Sequence, residues 1–361
     1  MEHMEISLSK SFDGIYHGKR VLITGHTGFK GSWLSIWLKA LGAEVFGYAL
    51  APTSSKDNFV RCQLDSKIQH REGDVRNLTD FTNCIQSVQP DCIFHLAAQP
   101  LVLNSYQNPH YNFETNLMGT VNLFEAVRSV AGIQCVINVT TDKCYLNQEW
   151  LWGYRENEPL GGEDPYSASK ACSELITHAY RQSFFKSTTC KIASARAGNV
   201  IGGGDWAENR ILPDAFRAIE NQTELIIRNP NSIRPWQFVL EPLYGYLKLG
   251  MHLLKQESGF DEAWNFGPLS PEPYTVKTII DVLKNQIPDL MVRYEESNNK
   301  PHEAGLLQLD IGKSIHRMGW KPKLSLHQTL EFTARGYLQE LQNPENTYAS
   351  RLNQIIEYSS L

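Results

Sequence analysis

Short apolar runs alternate with longer stretches of helical periodicity through the N-terminal half of the chain and a little beyond. The runs Val21–Thr24, Glu44–Ala49, Ile68–Glu72, Cys92–Leu96, Cys135–Val139 and Lys191–Ala195 predict strands. Between them, Ser32–Leu41, Leu78–Val88, Thr115–Val130 and Ser167–Phe184 carry the pattern of helices. This alternation predicts an α/β fold: a parallel, doubly wound sheet with right-handed crossovers. Ligands of such sheets gather at the carboxyl ends of the strands. The predicted ends there are Gly73-Asp74-Val75, Leu96-Ala97-Ala98-Gln99, Thr140-Thr141-Asp142-Lys143 and Arg196-Ala197-Gly198-Asn199. Taken singly each has a plain reading, Asp74 as a turn residue and Ala97-Ala98 as close packing. Their shared position is what marks them.

The first predicted strand runs into Gly25-His26-Thr27-Gly28-Phe29-Lys30-Gly31 and then into an apolar helix. Here Gly25 suits a tight turn, Gly28 the approach of a pyrophosphate to backbone N–H groups, and Gly31 close packing of helix on strand. An ordinary glycine-rich turn is the alternative, but the place after a buried first strand favours a nucleotide, as in a Rossmann-type domain. The segment Pro165-Tyr166-Ser167-Ala168-Ser169-Lys170 adds a Tyr and a Lys four apart, on one face of a helix. An ammonium there favours the phenolate and lowers the Tyr pKa, which suits acid–base work on a hydroxyl. A surface Tyr stacked on a Lys stem is the bland reading of this spacing by itself.

Composition narrows the classes. The 361 residues are 42% hydrophobic and 20% charged with a net charge of -5, which argues against a disordered chain or a polybasic nucleic-acid surface. Partners are then expected to be small molecules. The 7 cysteines occur singly, without CxxC or paired His spacing, so neither a metal site nor a disulfide framework is expected. With no apolar leader and no long apolar run, no membrane association is expected, and the reading is cytoplasmic.

Beyond Asn199 the texture becomes loop-rich, with Gly202-Gly203-Gly204-Asp205-Trp206 and Arg228-Asn229-Pro230-Asn231-Ser232-Ile233-Arg234-Pro235-Trp236. This suits a smaller α/β substrate-binding lobe. The expected division is 1–198 for the nucleotide, completed by 239–265, with 199–238 and 266–340 as the lobe and 341–361 as an amphipathic tail. Arg210, Arg228 and Arg234 are candidates for a diphosphate, solvated surface arginines being the alternative.

The Gly25–Gly31 loop, His95-Leu96-Ala97-Ala98, Thr141-Asp142-Lys143 and the Tyr166/Lys170 pair together resemble the extended short-chain dehydrogenase/reductases acting on nucleotide sugars. Longer strings narrow the resemblance to the 4,6-dehydratases of CDP-glucose. These are Thr140–Tyr145, Trp152–Pro159, Arg196–Trp206 and Arg234–Gln237, within a similarity running from Gly18 to Leu330. The resemblance implies bound NAD, held by Gly25, Thr27, Gly28, Phe29, Lys30 and Gly31, by Asp74 and Val75, by Leu96, Ala97 and Ala98, and by Thr140, Tyr166 and Lys170. It implies that Tyr166 takes the proton of the sugar 4-hydroxyl, with Thr141 and Lys170 holding the phenol. Elimination of water needs two further groups, and Asp142 is expected as the acid to the 6-hydroxyl and Lys143 as the base at C5; the alternatives are a structural pair capping the strand end and a nucleotide-sugar C4 epimerase, which has no work for them. Gln99, Asn199, Arg210 and Arg234 are the expected substrate residues.

A homodimer or homotetramer is implied as well, through a four-helix interface formed by Thr115–Val130 and Ser167–Phe184. Packing of these helices on the sheet alone is the alternative. Some positions depart from the family pattern. Ala49-Leu50-Ala51-Pro52 lacks the acidic residue that receives the adenosine ribose, and lacks an Arg for a 2′-phosphate. Leu103, Phe238 and Gly305 replace Arg, His and His, all expected on substrate-side loops, so a changed sugar or nucleotide, or reduced activity, is a possible consequence.

Overall fold

The computed structural model describes residues 8, 10–269, 274–295 and 306–361. Its centre is a seven-stranded sheet in which every pair is parallel. The strands are β1 (Arg20–Thr24), β2 (Glu44–Ala49), β3 (Gln69–Glu72), β4 (Cys92–His95), β5 (Cys135–Val139), β6 (Lys191–Ala197) and, much later in the chain, β10 (Ala263–Phe266). Their order is β10-β6-β5-β4-β1-β2-β3, so the winding reverses between β1 and β4. The central strands β4 and β5 are buried along their whole length, which is why they read as unbroken apolar runs.

Helices α1 (Phe29–Ala40), α2 (Leu78–Val88), α3 (Gly119–Arg128) and α4 (Pro165–Tyr180) provide the crossovers. Two have clear start signals. The Asn77 side chain accepts from Asp80 N at the start of α2, and Asp164 accepts from Ser167 N ahead of Pro165 in the first turn of α4. Several boundaries differ from those expected. Helix α1 begins at Phe29 instead of Ser32 because Gly28, in extended conformation, is its N-cap. Instead of one helix from Thr115, the structure has Pro109–Phe113, a π turn at Glu114–Met118 and then α3. Helix α4 likewise passes into a π turn at Arg181–Phe185. Periodicity counts apolar positions and does not see the wider winding of such turns.

The rest of the chain builds a second core. It contains α5 (Ile211–Asn221), α7 (Val276–Gln286) and two small parallel pairs, β7 (Val200–Ile201) with β9 (Gln237–Phe238) and β8 (Leu225–Ile227) with β11 (Val292–Tyr294). Leu212, Phe216, Ile279, Leu283 and Tyr337 are buried together there. Helix α6 (Leu240–Leu254) returns to the main sheet. After α8 (Gly312–Met318), helix α9 (Leu326–Gln342) starts with a reciprocal Ser325/Gln328 capping box. The segment read as an amphipathic tail is helix α10 (Thr347–Ser360). Its Leu352, Ile355 and Tyr358 belong to the same core as Val21, Trp33 and Trp37 of β1 and α1, so this segment is an integral part of the nucleotide-side core.

Candidate active site

Two adjoining cavities open at the carboxyl ends of the strands. The first, of 250 Å³, is lined by the Gly25–Gly31 loop, Asp74, Val75, Leu96, Ala97 and Ala98. The second, of 350 Å³, is lined by Thr141, Asp142, Lys143, Asn199, Arg234 and Trp236. Phe29, Lys30, Pro100, Thr140, Tyr166 and Arg210 face both. Lys170 lines the first. Gln99, expected among the substrate residues, also lines the first, where Asn116 grips its backbone N–H and carbonyl.

The first cavity has the shape a dinucleotide requires. Gly25 has φ +73°, and a Cβ there would lie 2.7 Å from Ala97 N, so only glycine makes this turn. A Cβ on Gly31 would lie 2.2 Å from the Gly25 carbonyl oxygen, which fixes the close packing of α1 on the turn. At Gly28 the nearest atom would be 3.4 Å away, so this position is open. The first-turn N–H groups of α1 lack intrahelical partners and suit a pyrophosphate. Deeper in, His95 is buried, its Nδ1 2.8 Å from the Thr24 hydroxyl, and burial pushes its pKa down to about 3. That ring is therefore neutral.

The catalytic candidates come together where the cavities meet. The end of β5 carries Thr140, then Thr141, whose hydroxyl donates to Asp142 Oδ1 at 2.9 Å and receives a bond from Lys143 N at 3.4 Å. Asp142 is buried, and burial pushes its carboxyl up despite Lys143, Thr141 and Arg234 pulling down. Gly198 makes room for it: a Cβ there would sit 2.9 Å from Asp142 Oδ2. Lys143 is half-buried and faces the second cavity.

Tyr166 and Lys170 stand one turn apart on α4. The Tyr166 N–H donates to Ser105 Oγ at 3.2 Å, and Lys170 Nζ donates to the Val139 carbonyl at 3.1 Å. The net shift of the phenol is not the lowering expected from the ammonium. Burial dominates and pushes Tyr166 up to about 12, with a Thr141 hydrogen bond and the Arg210 charge opposing it. Burial also lowers Lys170 to about 8, against the pull of Glu174. Lys30 is lowered to about 7, by burial and then by the charges of Lys170 and Arg210.

Arg210 is held by Asp205 at 2.8 Å. Arg234 NH1 donates to the Ile233 carbonyl at 2.7 Å. Of the three departures, Leu103 lines the second cavity and is exposed. Phe238 does not face the substrate: it is fully buried against Trp33 and Phe332. Gly305 lies outside the described residues. Sequence reading missed Ser105 and Glu174 as supports of the site, neither of which carries a motif of its own, and met Gly198 and Asp205 only within the Arg196–Trp206 string. No group of three or more metal-ligating side chains occurs among the described residues. Nor is any helix among them long and apolar enough to cross a membrane.

The glycine turn, the strand order and the Tyr-Lys helix define an extended short-chain dehydrogenase/reductase. The GDP-mannose 4,6 dehydratase family model matches residues 22–333, and the chain belongs to that family. It is 48% identical over 320 residues to the CDP-glucose 4,6-dehydratase of Salmonella typhimurium, spanning 87% of this chain and 89% of that protein. It is 30% identical over 330 residues to the CDP-paratose 2-epimerase of Salmonella typhi, across 85% of this chain and 95% of that one. Among solved structures, an epimerase of Methanothermobacter thermautotrophicus superposes with a TM-score of 0.79 at 22% identity, over 95% of this chain and 98% of that one. The dTDP-glucose 4,6-dehydratase of Streptomyces venezuelae, solved with NAD, superposes at 0.74 and 23% identity, over 89% and 97% of the two chains. At these identities the two structures speak for the fold.

Proposed function

We propose that this protein is an NAD-dependent CDP-glucose 4,6-dehydratase, forming the 4-keto-6-deoxy sugar nucleotide and water. The observation that carries this reading is the presence of Asp142 and Lys143 in one cavity with Tyr166. A C4 epimerase needs only the tyrosine, whereas a dehydratase needs an acid and a base in addition. The 48% identity to the Salmonella enzyme supports the choice of CDP-glucose. The Gly25–Gly31 loop with Asp74, Val75, Leu96 and Ala97 would hold NAD, which would supply the hydride chemistry at C4 and C6.

The protein's own groups do the rest. Tyr166 accepts the proton of the 4-hydroxyl, with Thr141 orienting the phenol and Lys170 stabilising its charged form. The 4-keto group acidifies C5, and Lys143 removes the C5 proton and returns a proton to C5 once the C6 carbon has been reduced. Asp142 gives its proton to the departing 6-hydroxyl, a role for which a raised carboxyl pKa is suited. Asn199, Arg210 and Arg234 hold the sugar diphosphate, the guanidiniums by forked hydrogen bonds. Gln99 is reassigned to the cofactor side.

Residues 1–198 with 239–265 serve the cofactor, and 199–238 with 266–340 serve the sugar nucleotide. The exposed Leu175 and Phe184 at α4 and Met118 ahead of α3 support self-association into a dimer or tetramer. A cytoplasmic location fits a soluble sugar nucleotide as substrate. The test is incubation with CDP-glucose and NAD, followed by mass and by the alkaline absorbance of the 4-keto product. Loss of one water is expected. An epimer of unchanged mass, or no turnover with NAD bound, overturns the reading.

A further inference from the structure

Behind the two cavities, and lining neither, lies a buried ion pair with no role in the chemistry above. Glu174 of α4 and Arg196 of β6 are each 3% exposed, with Arg196 NH2 2.8 Å from Glu174 Oε2. Each partner reaches a different end of the segment that follows β5. Glu174 Oε1 accepts from the Thr140 hydroxyl, and its Oε2 also accepts from Ser194 Oγ at 2.6 Å. Arg196 NH1 donates to the Tyr145 hydroxyl at 2.7 Å, and that hydroxyl donates to Asn265 Oδ1 at 2.8 Å.

Between these anchors lie Thr141, Asp142 and Lys143. Glu174 is also one turn beyond Lys170, on the helix that carries Tyr166. We infer that Glu174 and Arg196 are positioning residues, a clamp that sets the Thr141–Lys143 segment in register with the Tyr166–Lys170 face of α4. The inference rests on the functional reading above and adds the device that couples its two halves.

Stability is a weak reason for this pair to exist. Buried ion pairs repay their desolvation poorly, and apolar replacements of both partners are often neutral. Here the balance is poorer still, since Arg196 Nε is buried without a partner among the described residues. A fixed geometry is what a hydrogen-bonded network supplies and an apolar contact does not. The reaction needs it, because oxidation at C4 uses Tyr166 while elimination across C5 and C6 uses Asp142 and Lys143. Misregister between the two sets would let the oxidised sugar leave with its 6-hydroxyl, one reduced cofactor remaining for each sugar released.

The experiment compares the wild-type enzyme with the double variant Glu174→Gln/Arg196→Met, which leaves no unpaired buried charge. The expected result is a folded protein with unchanged NAD affinity and KM, a kcat lowered about tenfold or more, release of 4-keto sugar that has kept its oxygen at C6, and faster hydrogen exchange at residues 140–145. A folded double variant with wild-type kcat and wild-type exchange overturns the inference. Should the double variant fail to fold, Tyr145→Phe decides, because it removes only the hydroxyl that Arg196 holds. Faster exchange at residues 140–145 with the same premature release supports the clamp, and wild-type behaviour sinks it. If the wild-type protein itself does not dehydrate CDP-glucose, the functional reading fails, and exchange in the variants still judges the clamp.

Discussion

Two buried glutamate–arginine pairs among the described residues hold different parts of the molecule. Glu174–Arg196 joins α4 to β6 beside the acid–base groups. Glu340–Arg351 joins α9 to α10, with Arg351 fully buried and Glu340 3% exposed. Arg351 also donates to Asn58 Oδ1 at 3.0 Å and to the Gly336 carbonyl at 2.9 Å, while Glu340 accepts from Trp206 Nε1 at 2.8 Å. One residue earlier than Trp206 is Asp205, whose carbonyl accepts from the Tyr337 hydroxyl and whose carboxylate holds Arg210. The second pair therefore adjoins the loop that holds Arg210, proposed above for the diphosphate, and the first adjoins the groups proposed for acid–base work. On that reading, similar chemistry in two places separates binding from turnover.

The largest effect expected is on the turnover side. Tyr166→Phe should lower kcat by about a thousandfold, the scale of lost general acid–base catalysis, with KM changed by less than about threefold. Steady-state kinetics with CDP-glucose checks it, and a variant that keeps its kcat would dissolve the contrast by removing chemistry from α4. Next comes Arg351→Met, which strands Glu340 as a buried charge. It should cost roughly 3–5 kcal/mol of stability by denaturant titration and raise KM more than it lowers kcat. A kcat loss without a KM change would place both pairs in one role.

The same contrast explains what could be read from the sequence. The turnover region is built from local signals: a buried strand, a glycine turn with one positive φ, a Tyr and a Lys one turn apart, and strand ends aligned by the sheet. Each is set by neighbours within a few residues, so pattern and motif locate them. The second region is built from distant partners. Arg351 and Asn58 are 293 residues apart, and the helix that brings them together reads as an amphipathic tail. Phe238 shows the complementary failure, for its place in a family pattern points to the substrate while its side chain points into the core. Even Glu174 and Arg196, 22 residues apart, are linked only once β6 is laid beside α4.

A smaller effect sharpens the boundary between the regions. Asp205→Asn keeps the shape of the side chain and removes the charge that holds Arg210. Loss of one charge-assisted contact behind an arginine proposed for the diphosphate should raise KM about tenfold, the equivalent of about 1.4 kcal/mol, and leave kcat near the wild-type value. Initial-rate measurements over a range of CDP-glucose concentrations would show it. A fall in kcat with KM unchanged would mean that Arg210, which faces both cavities, works in the transition state.

The smallest expected effect is in pH dependence, and its sign separates turnover from stability. Burial lowers Lys170 to about 8 from an ordinary 10.5, with Glu174 and Cys144 pulling upward. Its charge in turn depresses Lys30 and His95 nearby. The ammonium proposed to support the Tyr166 phenolate is present below pH 8 and lost above it, so kcat should fall roughly threefold over the one pH unit centred on 8. Stability moves the other way. Between pH 8 and 10.5 the unfolded chain binds more protons at this lysine than the native one, so the contribution of Lys170 to stability rises across that window. Activity lost together with stability would point to unfolding, whereas activity lost while stability holds or rises points to Lys170. In Lys170→Met both pH effects should vanish, leaving a low rate that no longer falls above pH 8; a persisting limb would assign the titration to another group, with Lys30 the first to test.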